Sequence, residues 1–353
     1  MLNRYNSTKL PIITEMSMKN QPLIKTDSKQ SWQKQLANAY RQPSELLKAL
    51  DLPIDATHFS EQACQQFSLL APQAYVDKIE KGNWHDPLLR QILPLNDEMQ
   101  IVDGFHFDPV GDAEAMVGEG VLHKYQGRVL LVTTGACAIH CRYCFRRHFP
   151  YADANAAKDN WAKSLIYLAE NKRIEEVILS GGDPLVLSDQ KLQNLCEQIT
   201  AIPHVKRLRI HTRLPIVLPD RINQDFLQWF EKLDCQKIIV LHVNHAQELG
   251  VDVSKVLSDL FAINTLLLNQ SVLLRGVNDS VLALSQLSES LIENQVMPYY
   301  LHLLDRVQGA AHFEVSSKEA TMLIQQLRQQ LPGYMIPKLV QEIAGQPSKQ
   351  PVE

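Results

Sequence analysis

The sequence lacks the features that would place a protein in a membrane or on a nucleic acid. No stretch approaches the roughly 20 consecutive apolar residues of a membrane-spanning helix. The N-terminal residues lack the apolar core of a secretory signal. Positive charge is not in excess, because the 353 residues carry a formal net charge of −4, which disfavours nucleic-acid binding by bulk charge. We therefore expect a cytoplasmic protein with no membrane partner and no direct nucleic-acid partner.

The N-terminal third of the chain differs in pattern from the rest. Residues 1 to about 30 are polar and aperiodic, which predicts a loosely ordered tail. Between Trp32 and about Leu93, apolar residues recur at three and four positions and prolines interrupt the pattern. This pattern predicts short helices that pack on the core. Residues 101–122 are rich in Gly, Asp and Pro and predict a connecting loop.

From residue 129 onward, strand-like and helix-like segments alternate. The predicted strands are Val129–Thr133, Glu176–Ser180, Arg207–Thr212, Lys237–Val243, Ser271–Arg275 and Pro298–Leu303. The predicted helices are Trp161–Glu170, Lys191–Thr200, Asp225–Leu233, Ser254–Ala262, Ala283–Asn294 and Lys318–Leu331. Six βα units in a row predict a parallel sheet with right-handed crossovers, and six are too few for a complete eight-stranded barrel. The predicted fold class is α/β, a partial (βα)6 barrel with a helical N-terminal region.

Three of the six cysteines lie within eight residues, directly after the first predicted strand. They are Cys137, Cys141 and Cys144, and packing alone rarely explains such a cluster of thiols. A structural zinc takes four ligands, and His140 or His148 would have to be the fourth. A four-iron, four-sulfur cluster held by three thiolates instead leaves one iron without a protein ligand. The cysteines alone leave both interpretations open.

Polar motifs follow every predicted strand. In parallel barrels, functional groups collect at the carboxyl ends of the strands, so these motifs predict one functional rim. Each motif alone is also compatible with an ordinary loop. After the cysteine loop they are Gly181-Gly-Asp-Pro184, His211-Thr-Arg213, His242-Val-Asn-His245, Arg275-Gly-Val-Asn-Asp279 and the pair Asp305 and Arg306.

The cysteine spacing, with Tyr143 just before the last cysteine, resembles that of the radical S-adenosyl-L-methionine (SAM) enzymes. From about His123 to Val352 the chain resembles one branch, the lysine 2,3-aminomutases, and within it the short form that acts in β-lysylation of elongation factor P. The resemblance implies a [4Fe-4S] cluster on the three cysteines, SAM on the open iron, and pyridoxal 5'-phosphate. It also implies the same (βα)6 partial barrel.

The segment after the second strand would bind SAM in this family. Gly181, Gly182 and Asp183 match the segment that binds the methionine amino group, because glycines let a ligand approach the main chain. Without the resemblance, the same string would be read as a turn. We also expect His242, at the end of the fourth predicted strand, to bind a cofactor.

The resemblance assigns pyridoxal phosphate to the C-terminal segment. Lys349 matches the lysine that forms the imine with this cofactor, although the sequence alone would suggest a frayed polar tail. To reach the other cofactors, the tail would have to fold back over the mouth of the barrel. Lys124 and Arg128 match two basic residues that bind the phosphate, and Lys124 replaces the usual arginine.

Three charged residues match the family's substrate-binding positions. Arg146 would bind the carboxylate of L-lysine through its guanidinium fork. Asp305 and Glu342 would hold the distant ε-ammonium. Glu342 departs from the aspartate of the long catabolic enzymes, and its longer side chain alters the depth of the pocket. Without the resemblance, each of the three would be read as a solvated surface charge.

The resemblance implies an isomerase, a lysine 2,3-aminomutase, that converts L-lysine to (R)-β-lysine with an external reducing electron donor. The β-lysine would pass to a ligase that attaches it to elongation factor P. The chain would divide into a tail and helical region at residues 1–105, the radical SAM barrel at 106–335, and a cofactor-binding segment at 336–353. The alternatives are a radical SAM aminomutase for another amino acid, such as glutamate, and a zinc-bound structural or nucleic-acid-binding protein.

Overall fold

A ten-stranded sheet runs through the described residues, and its strands lie side by side in the order of the sequence. The computed structural model describes residues 31–54, 59–151 and 160–353. Residues 31–353 form one compact unit. The strands are β1 Met116–Gly118, β2 Val121–Tyr125, β3 Arg128–Thr134, β4 Glu176–Gly181, β5 Arg207–Thr212, β6 Gln236–Leu241, β7 Leu266–Val272, β8 Met297–His302, β9 Lys338–Gln341 and β10 Gln350–Pro351.

The centre of the sheet is parallel and its two margins are antiparallel. Each neighbouring pair from β3 to β9 is parallel. At one margin β1 pairs with β2 and β2 with β3 in antiparallel register, and at the other β10 pairs antiparallel with β9. Strands β3 to β8 are each followed by helix, which is the predicted series of six βα units. The carboxyl ends of the parallel strands therefore share one rim.

The helices that follow the parallel strands bury an apolar face. In α9, the apolar Phe226, Leu227, Trp229 and Phe230 are buried, and the side chain of Asn223 caps the first turn. Several connections contain three-residue 3₁₀ helices. The helices of this part are α6 Ala162–Glu170, α7 Asp189–Thr200, α8 Leu214–Val217, α9 Gln224–Glu231, α10 Val251–Ala262, α11 Val281–Glu293 and α12 Ser317–Gln330.

Five short helices precede the sheet, as the proline-punctuated pattern predicts. Pro43 and Pro87 begin two of them, where the missing N–H of proline costs no hydrogen bond. Leu46 and Leu88 are fully buried in the same hydrophobic cluster as the barrel strands. This region therefore packs on the core. The helices are α1 Trp32–Ala37, α2 Pro43–Ala49, α3 Glu61–Gln66, α4 Gln73–Val76 and α5 Pro87–Arg90.

The sequence-based strands differ from the structure in three respects, the first being that β9 and β10 of the C-terminal segment were not predicted. The fifth was predicted at Ser271–Arg275, but the strand is Leu266–Val272. Apolar leucines stand on both sides of the polar centre of this segment, and the earlier run pairs with β6. The predicted loop at 101–122 was also wrong in its last part, because β1 and the start of β2 form a hairpin there that pairs with β3.

Two further expectations concern parts of the chain with less structural information. The predicted loose tail at residues 1–30 lies outside the described residues. The division at 105 and 335 remains a prediction. Within the described ranges, none of the helices has the length and apolar content needed to cross a membrane.

Candidate active site

One cavity of about 550 Å³ collects all thirteen residues predicted for the site. Its walls come from the sheet strands, from the loops at their carboxyl ends and from the C-terminal segment. The shared rim explains why residues more than 200 positions apart meet. The thirteen residues are Lys124, Arg128, Cys137, Cys141, Cys144, Arg146, Gly181, Gly182, Asp183, His242, Asp305, Glu342 and Lys349.

The cysteine loop after β3 is anchored to the N-terminal helices. Arg142, between the second and third cysteines, is fully buried and forms hydrogen bonds of 2.8 and 2.6 Å with the carboxylate of Glu98. Arg147 also pairs with Glu98, at 2.8 Å. The backbone N–H of His140 donates to the carbonyl of Leu70. The N-terminal region thus fixes the conformation of the loop that presents the thiols.

Arg213, just beyond β5, reaches the same loop from the other side. Its Nη1 donates to Cys141 Sγ at 2.7 Å and to Tyr143 Oη at 2.9 Å. Its Nη2 donates to Gln91 at 2.7 Å and to Glu248 at 2.8 Å. The sequence analysis noted Arg213 only as part of a motif at a strand end. Its contact with a thiol was not predictable, since the two residues are 72 positions apart.

The arrangement of the thiols bears on the two metal interpretations. In the described part of the chain, no three His, Cys, Asp or Glu side chains converge as ligands of one metal ion. Tetrahedral zinc needs its ligands at about 2.0–2.3 Å around a single centre. Thiolates that hold a four-iron cluster bind separate irons and lie further apart. All three thiols line the cavity, where the open iron of a cluster would face the other predicted binding residues.

Burial disfavours the thiolate form of these cysteines while they are free. It raises the pKa of Cys137 well above its ordinary value and that of Cys144 to about 11. Neighbouring thiols add to the effect at both positions. A metal ligand has to be a thiolate, so cluster binding would release protons from this loop.

The two glycines after β4 allow a close approach to the cysteine loop. Gly181 has a φ of +116°, and a Cβ there would lie 2.6 Å from the carbonyl oxygen of Thr134. A Cβ on Gly182 would collide with the carbonyl oxygen of Ala136. The Gly182 N–H donates to Thr134 at 2.7 Å. Packing alone therefore requires both glycines, and their contact with SAM stays a prediction.

Asp183 is buried and already hydrogen-bonded within the protein. Its carboxylate accepts from Thr212 Oγ1 at 2.7 Å and from the backbone N–H groups of Arg213 and Leu214 at 2.8 and 3.0 Å. It also accepts from the N–H of Leu185. Burial raises its pKa and these donors oppose that rise. In this state Asp183 fixes the loop that carries Arg213, and its role toward SAM stays a prediction.

Asp112 joins two of the predicted binding residues and was missed by the sequence analysis. Its carboxylate accepts from Arg146 Nε at 2.7 Å and pairs with Lys124 Nζ at 2.7 Å. Burial would raise its pKa, but Arg146 and Lys124 together lower it, so Asp112 is ionised. Arg146 also donates to Ser180 Oγ at 3.3 Å. Nothing in the loop sequence around Asp112 distinguishes it from other loop acids.

The C-terminal segment folds back to the cavity, as the resemblance required. Pairing of β10 with β9 brings Lys349 beside Glu342, with 2.6 Å between Lys349 Nζ and Glu342 Oε2. Tyr125 Oη donates to the other oxygen of Glu342 at 2.7 Å. Burial would raise the pKa of Glu342, but Lys349 leads the contacts that lower it. Lys349 Nζ also lies 6.0 Å from the ring centre of Tyr300.

Asp305, at the same end of the cavity, is in a different state. No described residue donates a hydrogen bond to its carboxylate. Burial raises its pKa to about 7, Lys349 lowers it and Glu342 raises it further. The carboxyl of Asp305 is therefore about half protonated near neutral pH.

Three buried histidines complete this wall. Burial lowers the pKa of His242 to about 4 and the pKa values of His211 and His302 well below the ordinary value. Their imidazoles are thus neutral. The Nε2 atoms of His211 and His302 are buried without a hydrogen-bond partner among the described residues. Such atoms are costly unless a ligand or water completes them. The sequence analysis missed His302, which ends β8 without a recognisable motif.

The site has the parts that pyridoxal phosphate needs. Lys349 supplies an amine, and Lys124 and Arg128 supply cations on the same cavity wall. The Arg128 guanidinium stacks over the Tyr125 ring at 4.5 Å. Together with the unpartnered Nε2 atoms, these groups fit a polar, anionic ring cofactor.

Together, the parallel sheet, the single rim and the three-thiol loop define a class of α/β proteins built to hold an iron–sulfur cluster. Residues 118–212, which include all three cysteines, match the family model described as a 4Fe-4S single cluster domain.

Full-length relatives define the family further. The chain is 46% identical over 94% of its length to the L-lysine 2,3-aminomutase of Escherichia coli (strain K12), of which it covers 96%. It is 46% identical over 93% of its length to the protein of that name from Haemophilus influenzae, of which it covers 97%. With the Clostridium subterminale protein of that name the identity is 30% over 91% of this chain and 77% of that protein. The chain belongs to the L-lysine 2,3-aminomutase family, whose members are radical SAM isomerases.

Proposed function

We propose that this chain converts L-lysine to (R)-β-lysine in a reaction that depends on SAM, a [4Fe-4S] cluster and pyridoxal phosphate. The observation that carries the proposal is the single cavity that contains the three-thiol loop, Lys349, and groups suited to both ends of a lysine molecule. The names of the relatives support the choice of substrate.

In this proposal the cluster and pyridoxal phosphate share the one cavity. Cys137, Cys141 and Cys144 hold the cluster, and Lys349 holds pyridoxal phosphate with its phosphate on Lys124 and Arg128. When bound, the cluster and SAM supply one-electron chemistry for hydrogen abstraction, and pyridoxal phosphate supplies a carbonyl and a conjugated ring for the migrating amine. The protein supplies position, charge and exclusion of water.

Arg146 is prepared to bind the substrate carboxylate. Its Nε donates a hydrogen bond to Asp112, and its guanidinium carbon lies over the ring of Phe145, 4.7 Å from the ring centre. None of the described residues forms a hydrogen bond with Arg146 Nη2, so this atom is free to bind a ligand. A guanidinium fixed at one edge can bind a carboxylate without losing much rotamer entropy.

The acidic end of the cavity suits an ammonium group. Asp305 and Glu342 both line this end, and a substrate with a second carboxylate, such as glutamate, would meet two acids there. In this structure Lys349 Nζ pairs with the carboxylate of Glu342. When Lys349 is engaged with the cofactor, Glu342 is released to accept the ε-ammonium of the substrate. Lys349 must lose a proton before it attacks a carbonyl.

The test is an anaerobic assay of reconstituted protein with L-lysine, SAM, pyridoxal phosphate and a strong reductant, with α- and β-lysine resolved. We expect β-lysine. Formation of 5′-deoxyadenosine without β-lysine would support the radical chemistry and reject lysine as the substrate. If neither product forms in protein that carries iron and sulfide, the aminomutase proposal fails.

A cysteine pair gives the matched control for this assay. Cys141→Ala should lose iron, sulfide and activity together. Cys235→Ala changes a thiol outside the cavity and should retain all three. Full iron loading of the Cys141→Ala protein would contradict the assignment of the cluster ligands.

We propose further that the product is used to modify elongation factor P. This chain covers 96–97% of the relatives from Escherichia coli and Haemophilus influenzae and 77% of the one from Clostridium subterminale. The sequence resemblance to the short form carries the rest of this proposal. Mass spectrometry of elongation factor P from a deletion strain should show loss of β-lysine. Unchanged modification would reject this role.

A further inference from the structure

Arg213 is the one described residue whose side chain donates a hydrogen bond to a thiol of the cysteine loop. Its guanidinium is buried, and four further side chains fix it: Tyr143, Gln91, Glu248 and Tyr75. With donors committed on both Nη1 and Nη2, the group has no room to rotate away from Cys141 Sγ.

The partner charge of Arg213 is itself fixed by the backbone. Glu248 is fully buried, and its Oε1 accepts from the N–H groups of Asn244 and His245 at 2.9 and 3.1 Å. Its Oε2 accepts from Arg213 at 2.8 Å. A buried ion pair is most stable when its remaining hydrogen-bonding positions are satisfied. Here both oxygens of Glu248 and both Nη atoms of Arg213 have partners, and Arg213 Nε is buried without one among the described residues. The loop after β6 therefore holds the guanidinium against the cysteine loop.

A cationic donor on one thiolate has an electronic consequence for a bound cluster. Hydrogen bonds to cluster sulfurs are one of the means by which proteins set reduction potentials. Reduction adds an electron to the cluster, and a positive donor stabilises the more negative form more strongly. A fixed guanidinium on Cys141 Sγ therefore makes the cluster easier to reduce.

We propose that Arg213 is a positioning residue that raises the reduction potential of the cluster through its hydrogen bond to Cys141 Sγ. The effect is confined to one of the three ligands, so it also makes the iron at Cys141 different from the other two. This inference rests on the proposed cluster, and goes beyond it by giving a residue outside the cysteine loop control over electron entry.

Two variants of Arg213 separate its charge from its geometry. Arg213→Lys keeps the charge and loses the fork. The double variant Arg213→Gln with Glu248→Gln removes both charges of the pair and leaves no buried ion without a partner. The matched control is Arg221→Lys, because Arg221 is also fully buried and pairs with Asp189 away from the cavity.

The measurement is a potentiometric titration of the reconstituted cluster, followed by electron paramagnetic resonance, after iron and sulfide have been quantified. We expect a shift to more negative potential in the double variant, a smaller shift of the same sign in Arg213→Lys, and no shift in Arg221→Lys. A change in the resonance line shape should accompany the first two.

The possible failures are distinguishable. If the unaltered protein binds no iron or sulfide, the proposed function fails. If both Arg213 variants load fully and titrate at the original potential, this inference alone is overturned. If the double variant does not bind the cluster, the reduction potential of the Arg213→Lys protein tests the inference. Folded Arg213→Lys protein without iron would also overturn the inference, because Arg213 would then act on cluster assembly and not on potential.

Discussion

The two ends of the cavity differ in how completely the protein satisfies its own charges. At the cysteine end, Arg213 pairs with Glu248 and Arg142 with Glu98, so each charge has a partner, although Arg213 Nε and Arg147 Nε are buried without a hydrogen bond among the described residues. At the other end, Asp305 receives no hydrogen bond from a described residue and its pKa is raised to about 7. Two histidines of the same cavity, His211 and His302, have Nε2 atoms with no hydrogen-bond partner among the described residues.

The comparison separates the cysteine end, whose charged side chains are paired within the protein, from the substrate end, whose polar groups gain partners when a ligand binds. The cysteine end is fixed by contacts with the N-terminal helices before any cofactor binds. The substrate end retains buried polar groups whose missing hydrogen bonds cost about 1–3 kcal/mol each. Ligands that supply these bonds should therefore stabilise the folded protein. The predictions below alter one end at a time.

The largest effect is expected from Lys349→Ala. This substitution should abolish β-lysine formation and the borohydride-trapped adduct with pyridoxal phosphate, because it removes the proposed imine-forming amine and the other amine near Glu342, that of Lys124, is paired with Asp112. Iron content should remain unchanged, since the cysteine end is independently anchored. The mass of the trapped adduct checks the role of Lys349, and iron analysis checks that the cluster site is intact.

The control for Lys349→Ala is Lys338→Ala, an exposed lysine on the neighbouring strand β9. It should retain the adduct and the activity. A trapped adduct in the Lys349→Ala protein would refute the assignment of this lysine, and loss of iron would contradict the independence of the two ends.

The next effect concerns the cysteine end. Glu98→Ala leaves the buried guanidinium of Arg142 and that of Arg147 without their carboxylate. Removing one partner of a buried ion pair destabilises by about 3–5 kcal/mol. The thermal unfolding midpoint should fall clearly, and cluster loading with it. Glu175→Ala removes an exposed partner of Lys206 and should lower the unfolding midpoint little, because exposed ion pairs contribute little to stability. Equal effects of the two substitutions would contradict the proposed anchor.

Asp305→Asn should weaken lysine binding and stabilise the protein. The pKa of Asp305 is higher in the folded protein than in the unfolded chain. The folded protein is therefore most stable below about pH 4, where the carboxyl is neutral in both states, and loses stability as the pH rises through about 7. One pKa unit corresponds to about 1.4 kcal/mol, so we expect a gain of roughly 2 kcal/mol at pH 8 after a discount for partial exposure. The gain should shrink at pH 5. A variant that is less stable at pH 8 would contradict this account.

The same carboxyl predicts the pH dependence of the unaltered protein. An ammonium binds the ionised form of Asp305, so kcat/KM for lysine should decline as the pH falls through about 7. Asp305→Asn should remove this limb of the profile. Initial rates between pH 5.5 and 8.5 in the loaded protein provide the test, and an unchanged profile in the variant would assign the limb to another group.

The sequence predicts which residues lie at the rim better than it predicts the contacts that hold those residues in place. Strand periodicity places the polar motifs at the carboxyl ends of parallel strands, and that rule brings together residues as distant as Cys137 and Lys349. The strand β7 was misplaced because leucines stand on both sides of its polar centre. The positions of the neighbouring strands decide between the two runs, and a local pattern contains no information about them.

The supporting contacts have no local signal at all. Arg213 and Gln91 are 122 positions apart, and Arg142 and Glu98 are 44 apart. Neither periodicity nor motif spacing relates such residues. Asp112 was missed for the same reason, since only the folded chain brings Arg146 and Lys124 to its two oxygens. The residues that would touch ligands follow from the resemblance, while those that hold them follow only from the structure.

The smallest effect is expected from Glu342→Asp, which introduces the residue of the long catabolic enzymes. The shorter side chain would draw the carboxylate back from Lys349 Nζ, now 2.6 Å away, and from Tyr125 Oη, now 2.7 Å away. Charge is retained, so we expect KM for lysine to rise only a few-fold, within the roughly 1–2 kcal/mol of one charged hydrogen bond. Glu342→Gln removes the charge and should raise KM further. If Glu342→Asp were as damaging as Glu342→Gln, then reach and not charge would define the ammonium site, and the substrate end would be as rigidly specified as the cysteine end.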